Sequence, residues 1–345
     1  MYRYLIWILF CLTSQIGFAL PIINPWEYAL MGYSCRETTC HKWKNCSLKA
    51  GFLGDYVFNR KLETQPNSIP SSIPSDIYQT RLQTYQGLLT FNLCDRFEFY
   101  SGFGATQISL LTPASSFNYQ FTGTLQIQAT LPAILYSSNN FPFFDPNSPL
   151  SLTTNPSFCY VVGLSSILWT CKNFVLSTSG HYFYTNPSIE SVTLPPTMEY
   201  NALANLGAGN FGGAVPMVAS STVYLPNTTL NYQEWQADLC LAYALCLSRN
   251  LRAIPFVAIE LAGVLVNFGN AVVTTFTQIP PSVGAFSPIY TTPTAFTANL
   301  YDLSQQRLFG YTIGTSFIGR NRFAAGIEWR FVNETAFSVD LNFNF

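Results

Sequence analysis

The C-terminal stretch Thr335-Ala336-Phe337-Ser338-Val339-Asp340-Leu341-Asn342-Phe343-Asn344-Phe345 decides the fold. Its odd positions are large or β-branched, and its even positions (Ala336, Ser338, Asp340, Asn342, Asn344) are small or polar. A side-chain period of two marks a strand with two unlike faces. The alternation repeats just upstream, where Phe323, Ala325, Ile327, Trp329 and Phe331 lie against Ala324, Gly326, Glu328 and Arg330. It repeats again over Phe309 to Phe317. Three consecutive segments of about nine to eleven residues match the length a tilted strand needs to cross a bilayer. Farther upstream, Trp235, Leu239, Leu241, Tyr243, Leu245 and Leu247 lie opposite Gln236, Asp238, Cys240, Ala242, Ala244, Cys246 and Ser248.

Alternation by itself fits a soluble sandwich, with the apolar face inward, as well as a membrane barrel, with the faces reversed. Two features favour the barrel. Aromatics recur near strand ends, as interfacial girdles require, and Phe345 closes an amphipathic last strand, which resembles the assembly signal of bacterial outer-membrane barrels. No stretch suits a membrane helix, because Leu251 to Phe268 is interrupted by Arg252, Pro255, Glu260 and Gly263. Of the 345 residues, 48% are hydrophobic and 10% charged, against roughly 25% charged in soluble domains. That composition excludes disorder. A formal net charge of −1 with scattered bases excludes nucleic-acid binding.

The Pro- and Ser-rich stretches Thr64–Asp76, Ser137–Pro156, Asn186–Thr197 and Ala271–Pro293 read as loops outside the wall, since proline cannot donate within a ladder. At about 20 residues per strand and half-hairpin, the chain holds roughly 16 strands. Met1-Tyr2-Arg3, the apolar run Tyr4–Leu12 and the small residues Gly17 and Ala19 mark residues 1–19 as a signal peptide. The expected fold is therefore all-β: one transmembrane antiparallel β-barrel over residues 20–345. Nine cysteines, one of them (Cys11) in the leader, leave an even remainder compatible with disulfides in an exported chain.

Several stretches resemble one family, the chlamydial major outer membrane porins. Leu20-Pro21 with Asn24-Pro25 is similar to that family's mature start. Cys35, Cys40 and Cys46 ahead of Gly54-Asp55-Tyr56-Val57-Phe58-Asn59-Arg60 resemble its cysteine cluster and first strand. Cys94-Asp95-Arg96-Phe97-Glu98-Phe99, Leu168-Trp169-Thr170-Cys171, Asn231-Tyr232-Gln233-Glu234-Trp235-Gln236-Ala237 and Ile327-Glu328-Trp329-Arg330-Phe331 follow in the same order. The resemblance implies a general porin of the bacterial outer membrane. It also implies a homo-oligomer, commonly a trimer, whose cysteines (here Cys35, Cys40, Cys46 and Cys171) cross-link envelope proteins. Lys172-Asn173 stand where the family commonly has a second cysteine, so extensive cross-linking does not carry over.

If the large residues face lipid, parity points Glu328, Arg330, Asp340, Gln236 and Asp238 into the lumen, with Arg96 and Glu98 beside Phe97 and Phe99. An Arg on the lipid face would cost roughly 2–4 kcal/mol at mid-depth. Opposite charges across a narrow lumen bias which solutes pass. Three other motifs are discounted. Gly207-Ala208-Gly209-Asn210-Phe211-Gly212 lacks the flanking strand, helix and acid of a dinucleotide site. His41 among cysteines suits disulfide chemistry better than zinc in an exported chain. Ser179 and His181 share a strand face without an oxyanion donor.

The expectation is an outer-membrane porin, with a structural role in the envelope, that passes small hydrophilic solutes and ions without catalysis, metal or cofactor. Its partners are membrane lipid and solutes. The competing expectation is a plugged structural or adhesive barrel. The turn at Gly319–Arg322 is expected to be periplasmic and that at Val332–Glu334 external.

Overall fold

The computed structural model describes residues 47–65, 76–93, 96–113, 117–122, 124–129, 134–137, 149–193, 198–200, 215–217, 222–223, 228–268, 271–274, 286–289, 295–319 and 323–344. The leader, Cys35, Cys40, Cys46, the glycine-rich motif at 207–212 and Phe345 lie outside the described residues.

Ten long strands form the wall: β1 (Ser47–Arg60), β2 (Gln79–Leu93), β3 (Phe97–Pro113), β4 (Ser157–Cys171), β5 (Phe174–Thr185), β6 (Leu230–Tyr243), β7 (Leu251–Phe268), β8 (Phe309–Gly319), β9 (Phe323–Phe331) and β10 (Glu334–Asn344). Each pairs antiparallel with the next in chain order, and β10 pairs back onto β1, so the ring closes as an up-and-down meander. Closure leaves no unpaired edge in the ring, which a lipid environment demands. The apolar stretch 251–268 is a strand, and no described helix is long and apolar enough to cross a membrane.

Among the described residues this sheet has 16 strands, of which the ring uses ten. The other six are short. Pro149–Thr154 pairs with the end of β3, Ile189–Thr193 pairs with Pro149–Thr154, and Thr222–Val223 pairs with Ile189–Thr193. Leu62–Thr64 pairs with Leu303–Gln305, which reaches β7, and Leu245–Ser248 folds back on the start of β7. Proline-rich stretches expected to be loops thus carry strands where they pass over the rim. Pro149 is the first residue of its strand, a position where its missing N–H costs no internal ladder bond.

The two rims differ. Short turns after β2, β4 and β8, together with the strand start at Ser47 and strand end at Asn344, gather on one rim. Long connections follow β1, β3, β5 and β7 on the other, joined there by the tight turn Val332–Asn333. Val332 has a φ of 88°, a left-handed conformation that strains a β-branched residue. Asn333 Oδ1 secures the turn by accepting a 2.8 Å hydrogen bond from the Glu334 amide.

The outward face is apolar, with Phe158, Ile259, Val257, Phe309 and Ile313 each at least half exposed. Aromatic pairs flank it at both ends: Phe174 with Tyr243 (4.6 Å) and Phe323 with Phe343 (5.3 Å) near the short-turn rim, and Tyr160 with Tyr184 (5.4 Å) and Tyr311 with Phe331 (6.3 Å) near the other. An apolar band between aromatic girdles is the surface a bilayer selects. Inward-facing residues are buried against one another. One apolar cluster, including Leu110, Leu152, Leu230, Val266 and Leu303, occupies the long-connection end, and a second, with Val175, Ala242, Ile254, Ile318 and Ala324, lies toward the short turns.

Candidate functional site

Between the two apolar clusters lies a belt of charged side chains, and its members owe their direction to strand parity. On β6, β7, β9 and β10 the even positions point inward, so Glu234, Gln236, Asp238, Glu260, Glu328, Arg330 and Glu334 are buried. On β1 the odd positions point inward from Lys49 to Val57. A bulge between Val57 and Asn59 then inserts one residue and reverses the parity, which turns Arg60 into the lumen.

Arg60 and Arg330 are both 0% exposed. The Arg60 guanidinium donates to Glu334 on the adjacent strand, through Nε at 2.6 Å, and to Glu234 and the Tyr232 hydroxyl. β1 and β6 stand five strands apart by either route round the ring, so the Arg60–Glu234 pair spans the lumen as a strut. Tyr232 donates to Glu234 at 2.6 Å, leaving the strut's carboxylate doubly held. Arg330 pairs with Asp55 across β10, with Glu334 at 2.7 Å, and with Glu328 at 3.6 Å. Two cations and four carboxylates therefore tie β1, β6, β9 and β10 together. Such contacts keep buried charge tolerable only as a complete set.

The opposite wall has a buried arginine, Arg252, at the start of β7, and is polar beyond it. Ser165 donates to Glu98 at 3.3 Å, Ser179 donates to Asp238, and Gln236 donates through Nε2 to Glu260 at 2.9 Å, where Thr312 also donates. His181 Nδ1 meets the Tyr100 hydroxyl at 2.9 Å. Tyr100 lies over Gly163, where an added Cβ would fall 2.3 Å from the ring. Ser179 and His181 do share the inward face, and each has a partner of its own.

Of the residues expected in the lumen, Glu98, Gln236, Asp238, Glu328 and Arg330 are buried inside. Asp340 shares their face but is only half-buried, and the Asn342 amide donates to its carboxylate. Arg96 is a correction: it sits exposed in the turn ahead of β3, with its amide bonded to the Leu93 carbonyl, so the strand that orients Glu98 has not yet begun. Cys246 is another. The Ala244 amide bonds to the Asn173 carbonyl, the alternation of β6 ends there, and Cys246 is exposed and disulfide-bonded instead of sharing the buried face of Cys240. Cys171, a disulfide candidate, carries a free exposed thiol at the end of β4. Arg60, Asp55, Glu234, Glu260 and Glu334 join the belt beyond the residues that parity of the quoted strands points inward. Glu234 and Glu260 obey a parity the sequence displays, whereas Arg60 is hidden behind the bulge and Glu334 behind the adjoining turn.

Comparison with known proteins places these features among relatives. The family model described as Chlamydia major outer membrane protein matches residues 67–262. The chain is 25% identical to the major outer membrane porin of Chlamydia muridarum over an alignment of 393 residues that covers 95% of each protein. It is 24% identical to the major outer membrane porin of Chlamydia pneumoniae, covering 95% of this chain and 94% of that one. A solved structure, the outer membrane protease OmpT from Escherichia coli, aligns with a TM-score of 0.31 and 8% identity over 90% of this chain and 100% of that chain, too distant a likeness to carry an argument.

Proposed function

Because the chain belongs to the Chlamydia major outer membrane protein family, we propose that its barrel serves as a porin of the bacterial outer membrane, passing small hydrophilic solutes and ions by passive diffusion. One observation carries the reading: a closed ring with an apolar outer face and a charged inner face. Lipid solvates the first, and the second is a place where charge is affordable.

Ten strands enclose little more than the eight whose inward side chains fill a barrel completely. The Arg60–Glu234 strut narrows the bore further, so the expected unit conductance is small, with a preference for ions over bulky solutes. The short-turn rim, which carries Arg96, Lys172 and Arg249, faces the periplasm in this reading, as short turns do in such barrels. Removal of residues 1–19 on export, assembly as a homo-trimer and disulfide exchange with envelope proteins through Cys35, Cys40 and Cys46 belong to the same proposal. Nothing in this role calls for bond-making chemistry, and Ser179 and His181 brace the wall.

The test is single-channel recording of refolded residues 20–345 in a planar bilayer. Small, discrete and reproducible current steps are expected. A chain that inserts with both girdles protected but never conducts would make the barrel a plugged structural element and overturn the porin reading.

A further inference from the structure

The polar wall opposite the arginines has an order that its individual contacts conceal. Glu98 on β3 is the register partner of Ser165 on β4, Ser165 of Ser179 on β5, Ser179 of Asp238 on β6, and Asp238 of Glu260 on β7. Five adjacent strands thus contribute one residue each to an unbroken row of carboxylates and hydroxyls, every one inward and buried. The row runs perpendicular to the strands, and the strands of such a barrel tilt by about 35–45° from its axis. Four spacings of about 4.8 Å give a row roughly 19 Å long. Its climb along the axis is then about 12 Å, a ramp rather than a collar.

The ramp is rich in acceptors, and its two donors are already used within it. Among the described residues Asp238 Oδ1 has no hydrogen-bond partner, Glu260 is met only by the neutral donors Gln236, Thr312 and Asn333, and neither residue takes part in the ion pairs of Arg60 and Arg330. Beside them Gln236 is wholly buried and spends its amide N–H on Glu260, leaving its carbonyl oxygen without a donor. Buried acceptors left unmatched are costly, and a cation moving past supplies the missing positive charge. The two serine hydroxyls donate to carboxylates, which leaves their oxygen lone pairs for the same use. Among the described residues, seven buried carboxylates stand against four buried lysine and arginine side chains.

We propose that the lumen is selective for small inorganic cations, which pass along the ramp Glu98–Ser165–Ser179–Asp238–Glu260. The acceptors are spread along the path, so each holds an ion weakly enough for the next to take it, as conduction requires. Arg60 and Arg330 are committed to carboxylates, and the buried Arg252 stands at the start of β7 off the ramp, so among the described residues the ramp itself offers anions no cationic partner. The inference rests on the porin reading and narrows it to a substrate class.

The experiment is the reversal potential of the refolded protein, residues 20–345, under a tenfold KCl gradient. A reversal displaced toward the potassium equilibrium potential is expected. The double substitution Asp238→Asn with Glu260→Gln, which keeps shape and hydrogen-bonding capacity, should lower the cation-to-anion permeability ratio at least threefold. Glu63→Gln, on the outer rim, should leave the ratio unchanged. Current that reverses near zero or toward the chloride potential in the unsubstituted protein overturns the selectivity and leaves the porin standing, whereas absence of any current overturns the porin reading and the selectivity with it. The unsubstituted protein decides the matter even if the double variant fails to refold.

Discussion

Where the first and last barrel strands meet, Arg60 and Arg330 are clasped by Asp55, Glu234, Glu328 and Glu334. On the far wall, from β3 to β7, carboxylates face hydroxyls and an amide instead. Both regions bury charge in one lumen, and they solve the cost differently. The seam balances ion against ion, so its groups are committed and its removal is expensive. The far wall leaves acceptor valence unfilled, which is a poor way to gain stability and a good way to admit a passing ion. Stability and transport are in this sense housed on opposite sides of the same ring.

The sharpest way to break the contrast is Arg330→Met. It leaves Asp55, Glu328 and Glu334 without their shared cation, and loss of one member of a buried set costs about 3–5 kcal/mol. Urea unfolding in detergent micelles, followed by tryptophan fluorescence, should show that loss. A change below about 1 kcal/mol would mean that the seam is not held by charge. A packing probe on the far wall comes next. Gly163→Val puts a side chain into the Tyr100 ring, and overpacking of this kind costs about 1–3 kcal/mol. Its loss should appear in the same assay and should be reduced in combination with Tyr100→Ala.

A smaller effect is expected from Asp238→Asn. It keeps the Ser179 contact and removes a charge that has no ion-pair partner, so stability should change by less than about 1 kcal/mol, in either direction. A loss comparable to that of Arg330→Met would erase the distinction between the walls.

The smallest effect concerns the rim strand Leu62–Thr64, which belongs to neither wall. Partial burial, with the Asp76 carboxylate as a second cause, raises the Glu63 pKa above its usual value of 4.5. A raised folded-state pKa means that the stabilising contribution is full below the unfolded value and is lost as pH rises through the folded one. The pairing of Glu63 with Asp76 and with Ser304 should therefore tighten as pH falls from neutral toward 4. Hydrogen exchange at the Ile77 amide, which bonds to the Leu62 carbonyl, reports it. Glu63→Gln should remove the pH dependence.

How far the sequence disclosed this arrangement depended on whether a strand kept its parity. β9 and β10 alternate without a break, and Glu328, Arg330 and the inward row of β10 could be placed from period two alone. The same held for Gln236 and Asp238 until Ala244, where a backbone hydrogen bond to the neighbouring turn ends the strand. Arg60 could not be read, because the bulge two residues earlier exchanges inside for outside and nothing in Tyr56-Val57-Phe58-Asn59 announces it. Glu334 looks in sequence like part of a turn, yet the turn is finished by Val332 and Asn333 and Glu334 opens the strand. The strut across the lumen depends on which strands stand opposite in a ring, a property of the count and closure that no single segment encodes. The rim strands are hidden in sequence for a local reason, since proline at a strand start looks the same there as proline in a loop.

The pairing of Lys49 with Asn344 has one more consequence. Partners in an antiparallel ladder lie about 5 Å apart, so a few flexible residues could join the last barrel strand to the first. The ring could then be reopened at Arg249-Asn250, in the short turn ahead of β7. Such a circular permutant would preserve every neighbour relation round the wall while changing the order in which the strands are made. Linear order and finished shape would be uncoupled. Whatever the permutant loses belongs to the order of assembly, and whatever survives belongs to the ring itself.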